Sequence, residues 1–217
     1  MNLVVRKPRP LTRDTGSFRD DRLFIVASDD TYAPKQYFGF FRLTRVQVHV
    51  IPTEDGSSAA KHVLSRLLSV DHEPDDELWM LLDTDHYIDG PHRSAFIQTI
   101  QDAKQHGVNV ALSRPSFDLW LLLHHAAADA VIGLANAAAV AAELRKLLGT
   151  YNKSRLAPAD YPMAAVAGAY HKAATLDGAV PGGDIPEGNS TRVYRLWKAI
   201  AVKALPTQLP VELRALL

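Results

Sequence analysis

Apolar runs and helix-period patterns alternate along the first half of the chain. The run at 23–27 reads as a buried strand that stops at Ser28-Asp29-Asp30. Residues 33–43 follow as a helix with an aromatic face of Tyr37, Phe38, Phe40 and Phe41, and 45–51 alternates as a second strand. Residues 57–70 read as a helix with Ser57 or Ser58 available as its cap. An acidic loop at 71–77 leads into a third strand, 78–82, and a third helix at 93–106 ends at Gly107, a residue suited to the left-handed position after a helix. The fourth strand is 108–112. This β-α-β-α-β-α-β order predicts a parallel sheet with crossover helices.

Beyond Phe117 the pattern changes to helices: an apolar turn through Trp120 and Leu123, then 135–148, 163–176 and 190–203. Pro and Gly cluster between Gly178 and Gly188, marking a loop before the last helix. The expected organisation is a basic arm over 1–20, an α/β core over 21–116 and a helical extension over 117–217 packed on that core.

Composition narrows the function classes. Among 217 residues, 47% are hydrophobic and 24 basic residues balance 24 acidic ones, so the chain reads as folded and without the global positive charge of a polyelectrolyte binder. Nucleic-acid contact has to come from local patches, of which the arm is one: Arg6, Lys7, Arg9, Arg13 and Arg19 are opposed there only by Asp14 until Asp20. Its alternative is a merely solvated tail. There is no cysteine, which removes disulfides, thiolate metal sites and cysteine nucleophiles. With no long apolar run and no signal peptide, the expected location is the cytoplasm, with no membrane contact.

The candidate chemistry lies at the strand ends. Leu81-Leu82-Asp83-Thr84-Asp85 closes the third strand, and the carboxyl ends of strands are where open α/β sheets bind ligands. If the extended backbone continues, Asp83 and Asp85 point to the same side and converge on one divalent cation, Mg²⁺ or Mn²⁺. Asp29, after the first strand, becomes a third ligand if strands 1 and 3 are neighbours, and Asp118 is a further acid at the margin. Asx turns and helix caps are the competing readings of all four, with Asp30 sharing with Asp29 the reading as a cap of the first helix. The histidine pair His124-His125 is a poor chelate on a helix and reads as structural, with His86 or His124 the ones nearest the acidic motifs. Phosphate-binding loops, dinucleotide fingerprints and hydrolase elbows are all absent from the sequence.

Taken together, these motifs resemble the RloB-like family, small proteins with a Toprim-type catalytic domain associated with restriction and abortive-infection loci. Ser28-Asp29-Asp30-Thr31 with Tyr37-Phe38 is similar to the family's acidic first motif, and Leu82-Asp83-Thr84-Asp85-His86 to its Asp-x-Asp motif. The stretch from Ser113 to His124 resembles its Ser-Asn-Pro-x-Phe-Glu-x-Trp-Leu-Leu-x-His signature, and Tyr151-Asn152-Lys153 a Tyr-x-Lys element. Asn189-Ser190-Thr191 with Val193 resembles the motif opening the last helix. The chain departs from the pattern with Asp29 and Asp118 in place of glutamates and Arg114 in place of asparagine.

The resemblance implies a Toprim-like four-stranded parallel sheet flanked by helices, with a helical C-terminal part. It also implies a Mg²⁺-dependent nuclease of anti-phage defence that hydrolyses DNA or RNA. Asp29, Asp83 and Asp85 would then hold the metal, Asp29 completing its coordination or taking a proton, and Lys153 and Arg114 would face the phosphate. A separate ATPase encoded nearby would be a partner. Two other readings stay open: a catalytically degenerate module that binds nucleic acid or the ATPase, and a receiver-like domain phosphorylated on its acidic pocket.

Overall fold

Successive residues of a strand point to opposite faces, and the first strand, β1 (Arg22–Ser28), is apolar on both. Phe24 and Val26 enter one core cluster, Ile25 and Ala27 the other. The same division runs through β3 (Glu77–Asp83): Trp79 and Leu81 face the first cluster, whereas Leu78, Met80 and Leu82 face the second. Strands covered on both faces need continuous apolar runs rather than alternation, which is why these two segments stand out in the sequence.

The computed structural model describes residues 22–54, 56–85, 87, 91–179 and 183–217. Arg6, Lys7, Arg9, Arg13, Arg19 and His86 lie outside the described residues. The remaining elements are α1 (Ala33–Gly39), β2 (Val46–Ile51), α2 (Ala60–Leu68), α3 (Arg93–Gln105), β4 (Asn109–Arg114), α4 (Asp118–Leu123), α5 (Asp129–Ile132), α6 (Ala137–Leu148), α7 (Met163–Ala179), β5 (Ser190–Thr191) and α8 (Val193–Lys203). Short 3₁₀ turns at Pro158–Asp160 and Val211–Leu216 complete them.

The sheet has five strands, ordered β2-β1-β3-β4-β5, rather than the four expected. Four are parallel, as the crossover pattern predicts, and β5 joins antiparallel on the edge of β4 through Ser113↔Thr191 and Arg114↔Ser190. The sequence pattern places residue 190 in the last helix, but that helix begins at Val193. Ser190 and Thr191 are drawn into the sheet instead, with Ser113 Oγ and Thr191 Oγ1 2.8 Å apart and the Arg192 amide on the Leu112 carbonyl at 2.8 Å.

Helices α2 and α3 cover one face, closing over Val63, Leu67, Phe96 and Ile100. On the other, α1, α4, α6, α7 and α8 enclose Tyr37, Trp120, Leu144, Val166 and Trp197. The second helix starts at Ala60 with no side-chain cap, so neither Ser57 nor Ser58 has the expected role; amphipathic packing suffices there. Gly107, as expected, takes a positive φ of 72° after α3.

A buried ion network fixes the last helix. Asp177 on α7 accepts from Arg192 Nε at 3.0 Å, Arg195 Nη2 at 2.7 Å and the Tyr194 hydroxyl at 2.9 Å, while Arg192 also donates to the carbonyls of Gly183 and Asp184. Among the described residues no helix is long and apolar enough to cross a membrane.

Candidate metal and phosphate site

The connection after β1 runs outward to β2 and that after β3 runs the other way to β4, so a crevice opens at the carboxyl ends of the adjacent strands β1 and β3. Register then fixes which residues meet there. Ser28 pairs with Leu81, and the Asp29 amide donates to the Leu81 carbonyl at 3.3 Å. In return, the Asp83 amide donates to Asp29 Oδ2 at 2.9 Å. The Asp83 carboxylate accepts the Phe117 amide on its Oδ1 at 2.7 Å, which draws the start of α4 onto the site. One oxygen of each carboxylate is thus held by backbone.

Electrostatics describes a strained pair. Burial pushes the Asp29 carboxyl up to about 7 from 3.8, with Asp30 adding to the rise and the Asp83 amide and Lys153 opposing it. Asp83 is raised well above the ordinary carboxylate range, first by burial and then by Asp29, against the pull of Lys153.

The neighbouring Asp30 has a different task. Its Oδ1 accepts the amides of Tyr32 at 2.6 Å and Ala33 at 3.1 Å, satisfying donors at the start of α1, and its Oδ2 lies 2.6 Å from Lys153 Nζ. The capping reading therefore belongs to Asp30 and not to Asp29. Lys153 comes from the loop after α6. Burial disfavours its charge, yet Asp118, Asp30 and Asp83 outweigh that and raise its pKa, so the ammonium persists at neutral pH.

Asp118, buried in the first turn of α4, accepts the Tyr151 hydroxyl at 2.7 Å. Its carboxyl is raised by burial, partly offset by Lys153 and Tyr151. Tyr151 and Lys153, two residues apart, thus reach Asp118 and Asp30 respectively. On the opposite side Tyr87 stacks on Phe96, with centroids 4.8 Å apart and 4° between planes, and donates to the Ser58 carbonyl. Burial, Asp29, Asp85 and Asp83 raise its phenol.

The structure therefore brings Asp29, Asp83, Asp30, Asp118 and Lys153 into one electrostatic cluster. Asp85 lies beyond the end of β3 and joins Asp29 and Asp83 in raising the Tyr87 phenol. The extended geometry that would carry Asp83 and Asp85 to the same side stops at Asp83, and Thr84 turns inward, its amide donating to the Ser113 and Pro115 carbonyls at 3.0 and 3.1 Å. Asp85 follows on an exposed turn with its amide on the Pro115 carbonyl at 3.2 Å. Arg114 projects elsewhere, donating through Nη1 to the Pro186 carbonyl at 2.8 Å. His124 belongs to the core: its Nε2 lies 3.0 Å from the Tyr37 hydroxyl, and burial first, then His125 and Lys172, lower its pKa to about 3.

Among the described residues no group of three or more His, Asp or Glu side chains is poised to hold a metal by itself. The donor set that is present, two desolvated carboxylates each with one oxygen engaged by backbone, fits Mg²⁺, which binds through one or two carboxylates and completes its shell with water and phosphate. It does not fit an all-protein cage. The sequence offers Asp30 as a cap of the first helix but not its ion pair; the Tyr151-x-Lys153 spacing was the available clue to its cationic partner.

In comparison with known proteins, a family model described as RloB-like protein matches residues 24–200. No curated protein and no solved structure is similar enough to match.

Proposed function

Since the chain belongs to the RloB-like family, with most of its length covered by that family's model, we propose that it is a metal-dependent nuclease hydrolysing phosphodiesters of DNA or RNA. In the setting the family suggests, anti-phage defence in the cytoplasm, an ATPase encoded nearby would accompany it. The observation that carries the reading is the Asp29–Asp83 pair: two carboxylates raised first by burial, Asp83 further by Asp29 and Asp29 further by Asp30, at the carboxyl ends of adjacent parallel strands, facing a cation held by Asp30.

Asp29 and Asp83 would hold Mg²⁺ or Mn²⁺, with Asp85, on the exposed turn after β3, a further acid at the margin. When bound, the ion polarises a phosphoryl oxygen and lowers the pKa of a coordinated water. The chain's own residues do the rest. Lys153, kept charged by Asp118, Asp30 and Asp83, binds the scissile phosphate and offsets negative charge as it develops. Asp30 restrains the ammonium, since its carboxylate is itself locked onto the α1 amides. Asp118 and Tyr151 brace the same loop. The basic arm supplies further phosphate contacts along the strand, whereas Arg114 is engaged by the Pro186 carbonyl.

A specific observation also favours the second reading, a binding module without cleavage. Asp29 stands where the family has glutamate, and its Oδ2 is already taken by the Asp83 amide. Incubation of the protein with single-stranded DNA, duplex DNA and structured RNA in Mg²⁺ and Mn²⁺, with Asp83→Asn alongside, tests the choice. Metal-dependent cleavage that Asp83→Asn abolishes supports the nuclease; inert wild type that still binds nucleic acid supports the module.

A further inference from the structure

The loop that delivers Lys153 has a second face. Between α6 and α7 it bounds a cleft of about 450 Å³ lined by Tyr151, Asn152, Arg155, Pro158, Asp160 and Tyr161 among others. That volume falls within the range of about 300–1,000 Å³ typical of small-molecule sites. Three observations mark the cleft as built for a ligand. Tyr161 is only 2% exposed, and its hydroxyl has no hydrogen-bond partner among the described residues. A buried phenol normally finds one. Arg155 is exposed on the rim, and among the described residues its guanidinium makes no ion pair or side-chain hydrogen bond. Tyr151 belongs to both places, lining the cleft while its hydroxyl holds Asp118 at 2.7 Å.

We propose that this cleft receives an unstacked nucleotide next to the scissile phosphate, so that the substrate is a single strand or an unpaired loop rather than a continuous duplex. The inference rests on the nuclease reading for the identity of the neighbouring site and deepens it. A base inside a duplex stays stacked between its neighbours and cannot enter a concave pocket, whereas a single strand presents each base freely to aromatic side chains. The spacing suits one polymer crossing both places. Tyr151, Lys153 and Arg155 are spaced two residues apart on a loop that turns where the Arg155 amide donates to the Asn152 carbonyl at 2.9 Å, so each step spans less than the ~7 Å of an extended chain, a separation that one nucleotide bridges. Lys153 takes the phosphate at the carboxylates, Arg155 takes the next, and the base lies between Tyr151 and Pro158 with a polar edge on Tyr161. Asp160 lines the same cleft and is suited to accept from an exocyclic amine of the base.

The test is binding without cleavage. Short fluorescein-labelled DNA and RNA single strands, and duplexes of equal length, are titrated by anisotropy in EDTA with wild type, Arg155→Ala and Tyr161→Phe, whose folds are compared by circular dichroism. Single strands are expected to bind tighter than duplexes. Arg155→Ala should weaken single-strand binding about tenfold and lower the slope of log affinity against log salt by about 0.7; Tyr161→Phe should weaken it a few-fold, and neither should change duplex binding. Equal affinity for duplex and single strand, or variants that bind single strands like wild type, overturns the proposal. Cleavage measured in parallel in Mn²⁺ keeps the two readings apart. If wild type never cleaves but the cleft variants lose single-strand binding, the nuclease reading fails and the cleft stands. Cleavage with unaffected binding in both variants sinks the cleft alone. The DNA and RNA arms show which sugar it accepts.

Discussion

The backbone amide of Asp83 points at the carboxylate of Asp29, 2.9 Å away, so the end of one strand neutralises the acid that closes its neighbour. That bond only partly offsets the cost of desolvating two carboxylates side by side.

A consequence is an inverted dependence of stability on pH. Asp29 titrates near 7 in the folded chain and near 3.8 when unfolded, so between about pH 4 and pH 7 the folded state binds more protons and loses stability as pH rises. Asp83, also raised, adds to the trend. Asp29→Asn keeps an oxygen for the Asp83 amide and removes the charge. Calorimetric melting without metal should show the variant a few degrees above wild type at pH 8, on the order expected for ~1 kcal/mol, with the gap closing toward pH 4. A constant gap at all pH values would mean that the repulsion is not felt.

Metal affinity should separate Asp83 from Asp85. In Mn²⁺ titration calorimetry, Asp83→Asn is expected to abolish measurable binding, because the amide keeps the Phe117 contact but loses the charge that holds a hard cation. Asp85→Asn, changed on an exposed turn, should cost only a few-fold. Unchanged affinity in the Asp83 variant ends the case for this site.

Lys153 and its acidic partner should differ in the size of their effects. Lys153→Ala removes the cation and should lower the cleavage rate by about 100-fold or more. Asp30→Asn leaves the α1 amides an acceptor but loosens the ammonium, for which a fall of about tenfold is expected from misplacement alone. Equal rates for wild type and Lys153→Ala would remove Lys153 from the chemistry.

Far from the crevice, Asp177 should govern folding of the C-terminal helices. Its pKa is lowered: burial alone would raise it, but Arg192 first, then Tyr194 and Arg195, outweigh that. The ion pair therefore stabilises above the unfolded value of 3.8 and loses that contribution as pH falls through the lower folded one. Asp177→Ala leaves Arg192 charged, buried and unpaired, a loss of roughly 3–5 kcal/mol by chemical denaturation at pH 7. A change under about 1 kcal/mol would show the network to be incidental.

Much of this fold is legible in the amino-acid order because β1 and β3 are buried on both faces and must be continuously apolar. Helix boundaries were less so. The first helix ends at Gly39 although the aromatic pattern runs on through Phe40 and Phe41, because those rings pack from the loop against Tyr161 and Trp197 and need no helix to do it. Ser190 and Thr191 carry no strand signature in two residues; only the open edge of β4 makes them a strand. At the site, Asp29 and Asp83 could be paired from adjacency of strands alone. The turn at Thr84 could not, since it depends on carbonyls of Ser113 and Pro115 supplied from another strand end. Nor could the task of Asp30, whose partner Lys153 arrives from over a hundred residues downstream.

The two residues of β5 also have a bearing on how nascent chains avoid one another. The sheet's other edge, β2, protects itself, with Gln47 and His49 exposed along it. Strand β4 has no such guard: Ala111 and Leu112 are buried, and Ser190, Thr191 and the Arg192 amide occupy its outer hydrogen-bonding groups. A chain terminated before Ser190 would present an apolar strand with unsatisfied amides and carbonyls, a template for a second copy to extend. Such truncations should sediment as aggregates rather than persist as monomers of lower stability, and the last 28 residues serve partly as a seal against self-association.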